Sequence, residues 1–147
     1  MGYGSQTSAR HITTWLRKKF VVGDRSGWEA LRLRLVRDDG VVVSLNGTEV
    51  FRSNLPDGVV TPTTLATTDI AGAGEAAVVE ARLPLELLVA GENVLAVELH
   101  QAGPASSDLG FDLELIALGS VADDFYFASP AASQSVSAAV DLPLSVW

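Results

Sequence analysis

One stretch near the middle of the chain, residues 31–52, contains two dipeptides that are typical of tight β-hairpin turns. Asp39-Gly40 and Asn46-Gly47 each stand between runs in which apolar residues recur at every second position. Both dipeptides suit a two-residue type I′ loop, because that loop needs a positive φ at its two central residues. The stretch therefore predicts three consecutive antiparallel strands and leaves no room for a helix.

Short strand patterns recur along the rest of the chain. Residues 53–74 are rich in turn formers and predict a long connection with one short strand at residues 65–68. About eight short strands with almost no helix are typical of a β-sandwich. The sequence thus predicts an all-β, antiparallel jelly roll. The strands predicted outside the first stretch cover residues 11–22, 76–83, 94–101 and 110–118.

Composition narrows the possible partners. The chain has 147 residues, of which 48% are hydrophobic and 19% charged, so it can bury a core and is expected to be ordered. Its formal net charge of −8 repels nucleic acid and anionic membranes, and neither is expected as a partner. It contains no cysteine, which excludes disulfides, thiol nucleophiles and thiolate metal sites.

The composition changes after Leu118. We expect residues 1–118 to form the β-sandwich domain and residues 119–147 to form a C-terminal extension. The Ala/Ser-rich part of that extension is typical of a linker, whereas its end, DLPLSVW, is apolar. An apolar end of this kind can add a strand to an open sheet edge, either its own or that of a neighbouring subunit.

Taken together, six segments resemble a galactose-binding-like jelly-roll module that occurs in large secreted bacterial proteins. There it lies beside metallophosphoesterase, spore-coat-kinase-like and glycosidase domains. The resemblance covers residues 2–117, and the extension after Leu118 has no counterpart in it. The segments are GYG at residues 2–4, ITTWLR at 12–17, LVRDDG at 35–40, LNGTEV at 45–50, LVAGENVLAVELHQ at 88–101 and SSDLGFDL at 106–113.

The resemblance implies a non-catalytic accessory module that binds carbohydrate at its loop tips. It also implies a secreted or cell-surface location, as part of a larger exported protein; the chain itself begins without a signal-peptide pattern. The alternative is a structural or self-assembling module whose apolar tail pairs with a neighbouring subunit.

Polar residues that follow two predicted strands are expected to meet at one end of the sandwich. Carboxylates, hydroxyls and amides bind sugar hydroxyls or Ca²⁺, and Asp38 and Asp108 are the predicted ligands of a structural calcium ion. The same residues could instead satisfy backbone groups of turns and loops. The predicted ligand-binding set is Trp15, Asp38, Asp39, His100, Gln101, Ser106, Ser107 and Asp108.

Two members of this set, Trp15 and His100, need separate arguments. Trp15 shares a strand face with Arg17 and Lys19, so we expect it to be exposed and able to stack on a sugar ring. His100 ends a partly apolar stripe, where a lone histidine is more often a hydrogen-bonded structural residue than a metal ligand.

Enzymatic activity is not expected. None of the common nucleophile, phosphate-loop, zinc-protease or dinucleotide motifs occurs in the sequence. A hydrolase using two facing carboxylates is the weakest alternative, because the available acids lie on strands where solvent exposure or pairing explains them. Among these, Asp112 and Glu114 could form a cross-strand charge ladder with Arg32 and Arg34.

Overall fold

The computed structural model describes residues 9–106, 108–119 and 145–146. In this part of the chain, eight strands form two antiparallel sheets, and the only helices are single 3₁₀ turns at Gly72–Gly74 and Leu85–Leu87. The predicted all-β sandwich is confirmed, and its topology is consistent with a jelly roll. The strands are β1 (Thr13–Val22), β2 (Trp28–Arg37), β3 (Gly40–Leu45), β4 (Thr48–Ser53), β5 (Val79–Pro84), β6 (Gly91–His100), β7 (Phe111–Gly119) and β8 (Ser145–Val146).

The two sheets enclose one hydrophobic core. The larger sheet has the order β4-β3-β6-β1-β8, and the smaller has the order β5-β2-β7. Alternate residues of each strand point inward and are buried. They include Leu31, Leu33 and Leu35 of β2 and Leu95, Val97 and Leu99 of β6.

The prediction of three consecutive antiparallel strands is wrong at its first turn. β2 belongs to the smaller sheet and β3 to the larger one, so Asp38 and Asp39 carry the chain across the core instead of closing a hairpin. Gly40 is needed there for space, since a Cβ would lie 2.9 Å from the carbonyl oxygen of Asn54.

The second predicted turn is confirmed. Asn46 has a φ of 52° and Gly47 a φ of 84°, as a type I′ turn requires, and β3 pairs with β4 on either side of them. Local sequence therefore determines this hairpin.

The inward and outward faces of β1 are also those that the sequence predicts. Leu16 and Phe20 are buried in the core, whereas Trp15 points outward and is 48% exposed. Thr13 is the exception on the outer face. It is buried, and its hydroxyl donates to the carbonyl oxygen of Pro62, at 2.8 Å, in the long connection after β4.

The long connection, residues 54–78, contains no strand, so the prediction of one at residues 65–68 is wrong. Side chains hold it in place instead. Asn54 Oδ1 accepts from the backbone N–H and the hydroxyl of Thr68, at 3.1 and 2.8 Å, and Asn54 Nδ2 donates to the Thr68 carbonyl oxygen. The backbone of Ala66 then donates to Gln101 just beyond β6, at 3.0 Å, which fixes the connection over one end of the larger sheet.

The charge ladder forms in part. Arg34 on β2 contacts Glu80 at 2.6 Å and Glu114 at 3.2 Å on the two neighbouring strands. Arg32 lies opposite Ile116 on β7. Half-exposed pairs of this kind add little stability.

Among the described residues, none forms a helix that is long and apolar enough to cross a membrane.

Candidate functional site

A cleft of about 530 Å³ opens at the end of the sandwich where β2 and β6 terminate. We call it the loop-end cleft. One wall comes from the long connection and the other from the loop between β6 and β7. Its volume is in the range of small-molecule sites. The lining residues are Asp69, Ile70, Ala71, Glu75, Ala102, Gly103, Pro104, Ala105, Ser106 and Asp108.

Asp39 joins the two walls of the cleft. Its fully buried carboxylate accepts from the backbone N–H of Ile70 through Oδ1 and from that of Ala102 through Oδ2, each at 2.7 Å. Hydrogen bonds to a charged acceptor are stronger than neutral ones. Because both oxygens are engaged and buried, Asp39 positions the cleft and does not reach into it.

Asp38 lies in a different environment from its neighbour. It is 3% exposed, and burial raises the pKa of its carboxyl group to about 6. Smaller contributions to this rise come from a hydrogen bond with Asp39 and from the negative charges of Asp39, Asp108 and Glu75. The negative charge beside the cleft therefore falls when the pH drops through about 6.

The loop between β6 and β7 is fixed from behind by Gln101 and Arg10. The buried Gln101 side chain donates through Nε2 to the carbonyl oxygen of Asp108 at 2.9 Å, while its Oε1 has no hydrogen-bond partner. The Arg10 guanidinium donates to the carbonyl oxygen of Ser106, and the Arg10 backbone donates to that of Pro104. The peptide groups that line the cleft are thus held in one arrangement.

Carboxylates give the cleft its charge. Asp69 and Asp108 are exposed and Glu75 is half-buried, with Glu75 Oε1 accepting from the backbone of Gly72 at 2.7 Å. Sequence reasoning found Asp108 but missed Asp69 and Glu75. Both lie in the long connection, and no local pattern indicates that Asp39 would bind this connection to the end of β6.

His100 lies outside the cleft. It is fully buried on the outer face of the larger sheet, beneath the long connection. Its Nδ1 lies 2.8 Å from the Thr64 carbonyl oxygen, which can only accept, so Nδ1 carries the hydrogen and donates. Its Nε2 has no hydrogen-bond partner and lies 3.6 Å from Glu98 Oε2. The contacts of His100 thus anchor the connection to the sheet.

One further member of the predicted set does not line the cleft. Trp15 is exposed as expected, but it lies opposite Glu98 on the outer sheet face and does not line the cleft. Ser107 falls outside the described residues. The structure thus gathers Asp38, Asp39, Gln101, Ser106 and Asp108 at one end of the sandwich.

Asp38 and Asp108 are also the predicted ligands of a calcium ion. No group of three or more His, Asp or Glu side chains converges among the described residues, whereas Ca²⁺ needs six to eight oxygen ligands. The assignment of Asp38 and Asp108 as calcium ligands stays a prediction.

Similar folds occur within larger glycosidases. The chain resembles part of the α-L-rhamnosidase of Streptomyces avermitilis, solved in complex with L-rhamnose, with 23% identity and a TM-score of 0.55 over 77% of this chain and 9% of that one. It also resembles part of the α-L-rhamnosidase of Aspergillus terreus, with 16% identity and a TM-score of 0.50 over 79% of this chain and 13% of that one. No family model and no curated protein sequence matches the chain. At these identities the likeness shows the fold alone.

Proposed function

We propose that this chain is a non-catalytic accessory module of a larger exported protein of the glycosidase type, and that it binds carbohydrate in the loop-end cleft. The observation that carries this proposal is the buried Asp39 carboxylate, which accepts hydrogen bonds from both loops that form the walls of the cleft. Preformed sites bind more tightly because little ordering is needed on binding.

The chemistry of the lining suits a sugar. Carboxylates such as those of Asp69 and Asp108 accept hydrogen bonds from sugar hydroxyls, and the fixed peptide groups of residues 102–106 add donors and acceptors. Ile70 and Pro104 supply apolar surface for the C–H face of the ring. The cleft volume of about 530 Å³ accommodates one or two sugar rings.

The charge of the cleft selects among sugars. Asp69, Glu75 and Asp108 line it, and Asp38 adds a further carboxylate beside it at neutral pH. A uronic acid would bring another negative charge into this region and would be repelled. The preferred ligands are therefore neutral or amino sugars.

Asp38 and Asp39 do not suit the roles of the two carboxylates in glycoside hydrolysis. That reaction needs two carboxyl groups about 5–10 Å apart that both reach the glycosidic bond. Asp38 has the raised pKa of a general acid, but it is 3% exposed, and both oxygens of Asp39 are engaged by backbone groups. A binding module fits this geometry better than a hydrolase. The small shares of the two rhamnosidase chains that resemble it, 9% and 13%, suit an accessory part of a larger protein.

A glycan array with neutral, amino and uronic acid glycans tests the proposal. We expect binding to neutral or amino glycans and none to polyuronates. Glu75→Ala and Asp108→Ala should each weaken binding by about tenfold, because each removes an acceptor for sugar hydroxyls. Glu92→Ala is the matched control, since this acid lies at the start of β6 and pairs with Lys19 at 2.9 Å, far from the cleft. The proposal fails if no glycan is retained or if the control weakens binding equally.

A further inference from the structure

Among the described residues, the outer edge of β1 is paired over only two residues. All ten residues of β1 pair with β6 on one side. On the other side, within the described ranges, only Leu16 and Arg17 are paired, with Val146 and Ser145 of β8. The backbone N–H and C=O groups of an edge strand form a template on which a further strand can add.

The register suits an amphipathic strand. Val146 lies opposite Leu16, which is buried, and Ser145 lies opposite Arg17, which is exposed. Residues that face each other across an antiparallel pair share one side of the sheet. The register therefore pairs an apolar residue with a buried one and a polar residue with an exposed one.

The length of the connection allows this strand to dock on more than one molecule. Residues 120–144 separate β7 from β8 in the sequence. Twenty-five residues span up to about 80 Å when extended, whereas packed sheets lie only about 10 Å apart. Connectivity alone therefore does not force β8 onto its own β1.

We propose that the outer edge of β1 is a strand-docking site, and that the C-terminal segment of the same chain, which contains Ser145 and Val146, fills it and closes it to other strands. Docking within the chain has an effective concentration on the order of millimolar, so at micromolar protein it prevails over docking of a second copy. The site is independent of the loop-end cleft, and it gives the C-terminal extension a role in keeping the domain monomeric.

Disulfide trapping tests the register directly, since the natural chain contains no cysteine. The test variant is Arg17→Cys with Ser145→Cys, which the register places opposite each other. The control variant is Val21→Cys with Ser145→Cys. Val21 is 76% exposed and lies on the same face of β1, but four residues away, about 13 Å along the strand.

At low micromolar protein, mild oxidation should give an intramolecular disulfide in the test variant at least about tenfold faster than in the control, because a disulfide needs Cα atoms within about 7 Å. Equal rates in the two variants would overturn the proposal. A predominance of disulfide-linked dimers would also overturn it, and would assign the edge to a second copy.

A second pair of variants tests the closing role. Ser145→Pro with Val146→Pro removes two backbone donors from the strand, and we expect this chain to associate with rising concentration in sedimentation velocity runs. Ser135→Pro with Val136→Pro changes an identical dipeptide within the extension and should leave the chain monomeric. If both variants stay monomeric, the edge does not need closing and the proposal fails.

Discussion

Asp38 and Asp39 are adjacent in the sequence, yet they meet different surroundings. The peptide N–H groups of Ile70 and Ala102 approach the Asp39 carboxylate and stabilise its charge. Asp38 is buried and lies near three other carboxylates, so the charge on its own carboxyl group is disfavoured and its pKa rises. Asp39 thus positions the walls of the cleft, and Asp38 makes the charge beside the cleft depend on pH.

The raised pKa of Asp38 predicts how stability depends on pH. Because the folded-state pKa of about 6 lies above the ordinary value of 3.8, the folded protein binds this proton more tightly than the unfolded chain. The contribution of Asp38 to the free energy of unfolding should therefore fall as pH rises from about 4 to about 6, and stay low above that.

Asp38→Asn removes the charge and keeps a donor for Asp39. We expect it to raise the free energy of unfolding at pH 7 by about 1–3 kcal/mol and to have little effect at pH 4. Urea unfolding at the two pH values measures this difference. A variant that is less stable than wild type at pH 7 would contradict the assigned environment of Asp38.

Asp39→Ala tests the support of the cleft walls. It leaves the backbone N–H groups of Ile70 and Ala102 without their acceptors, which should cost about 2–5 kcal/mol of stability. Sugar affinity should fall as well, although Asp39 touches no ligand. Asp39→Asn keeps one carboxamide acceptor and should lose less stability and less sugar affinity. Equal affinity for Asp39→Ala and wild type would show that the walls do not depend on this residue.

At the scale of elements, an asparagine pair closes the end of the sandwich opposite the cleft. Asn93 is fully buried, and its Oδ1 accepts from Asn46 Nδ2 at 2.8 Å and from the backbone of Val89 at 2.9 Å. Its Nδ2 donates to the carbonyl oxygens of Val89 and Gly91. The side chain therefore ties the β3–β4 hairpin to the loop before β6.

Asn93→Ala should destabilise the fold by about 2–4 kcal/mol, because it removes the four hydrogen bonds of a buried side chain and leaves a cavity in its place. Sugar affinity measured well below the melting temperature should not change, since the cleft lies at the other end. Thermal unfolding and sugar titration of the same preparation separate the two effects. Glu92→Ala, which removes only an exposed ion pair, is the control for stability. A loss of affinity in folded Asn93→Ala would mean that the two ends are coupled.

The elements also show what sequence patterns can and cannot predict. Alternation in β1 and the Asn46-Gly47 turn are local properties, and both were predictable because the period of two and a positive φ determine them. The partner of a strand is not local. Asp39-Gly40 has the composition of a hairpin turn, yet β2 and β3 join different sheets, and burial of Asp39 between two loops outweighs the local preference.

The sequence likewise predicts only those site residues whose positions depend on local patterns. Asp38, Asp39 and Asp108 follow predicted strands, so their meeting at one end could be expected. Asp69 and Glu75 could not be assigned, because their position depends on long-range hydrogen bonds such as that from Ile70 to Asp39. Trp15 was placed on the correct face, but a strand pattern does not reveal which loops lie near that face.

At the scale of the whole molecule, the proposed tasks occupy separate regions. The loop-end cleft lies at one end, the asparagine pair closes the other end, and β8 covers part of one lateral edge. A larger protein could carry such a module without interference between sugar binding and its other domains.

The most direct test of the central claim is to map a bound sugar by NMR. The ¹⁵N-labelled chain would be titrated with a neutral oligosaccharide, and amide shifts would be followed residue by residue. The claim that the loop-end cleft binds carbohydrate predicts saturable shifts at residues 69–75 and 102–108, lost in Asp108→Ala and retained in Glu92→Ala. Saturable shifts centred on Trp15 and Glu98, or no saturable shifts with any neutral sugar, would contradict it.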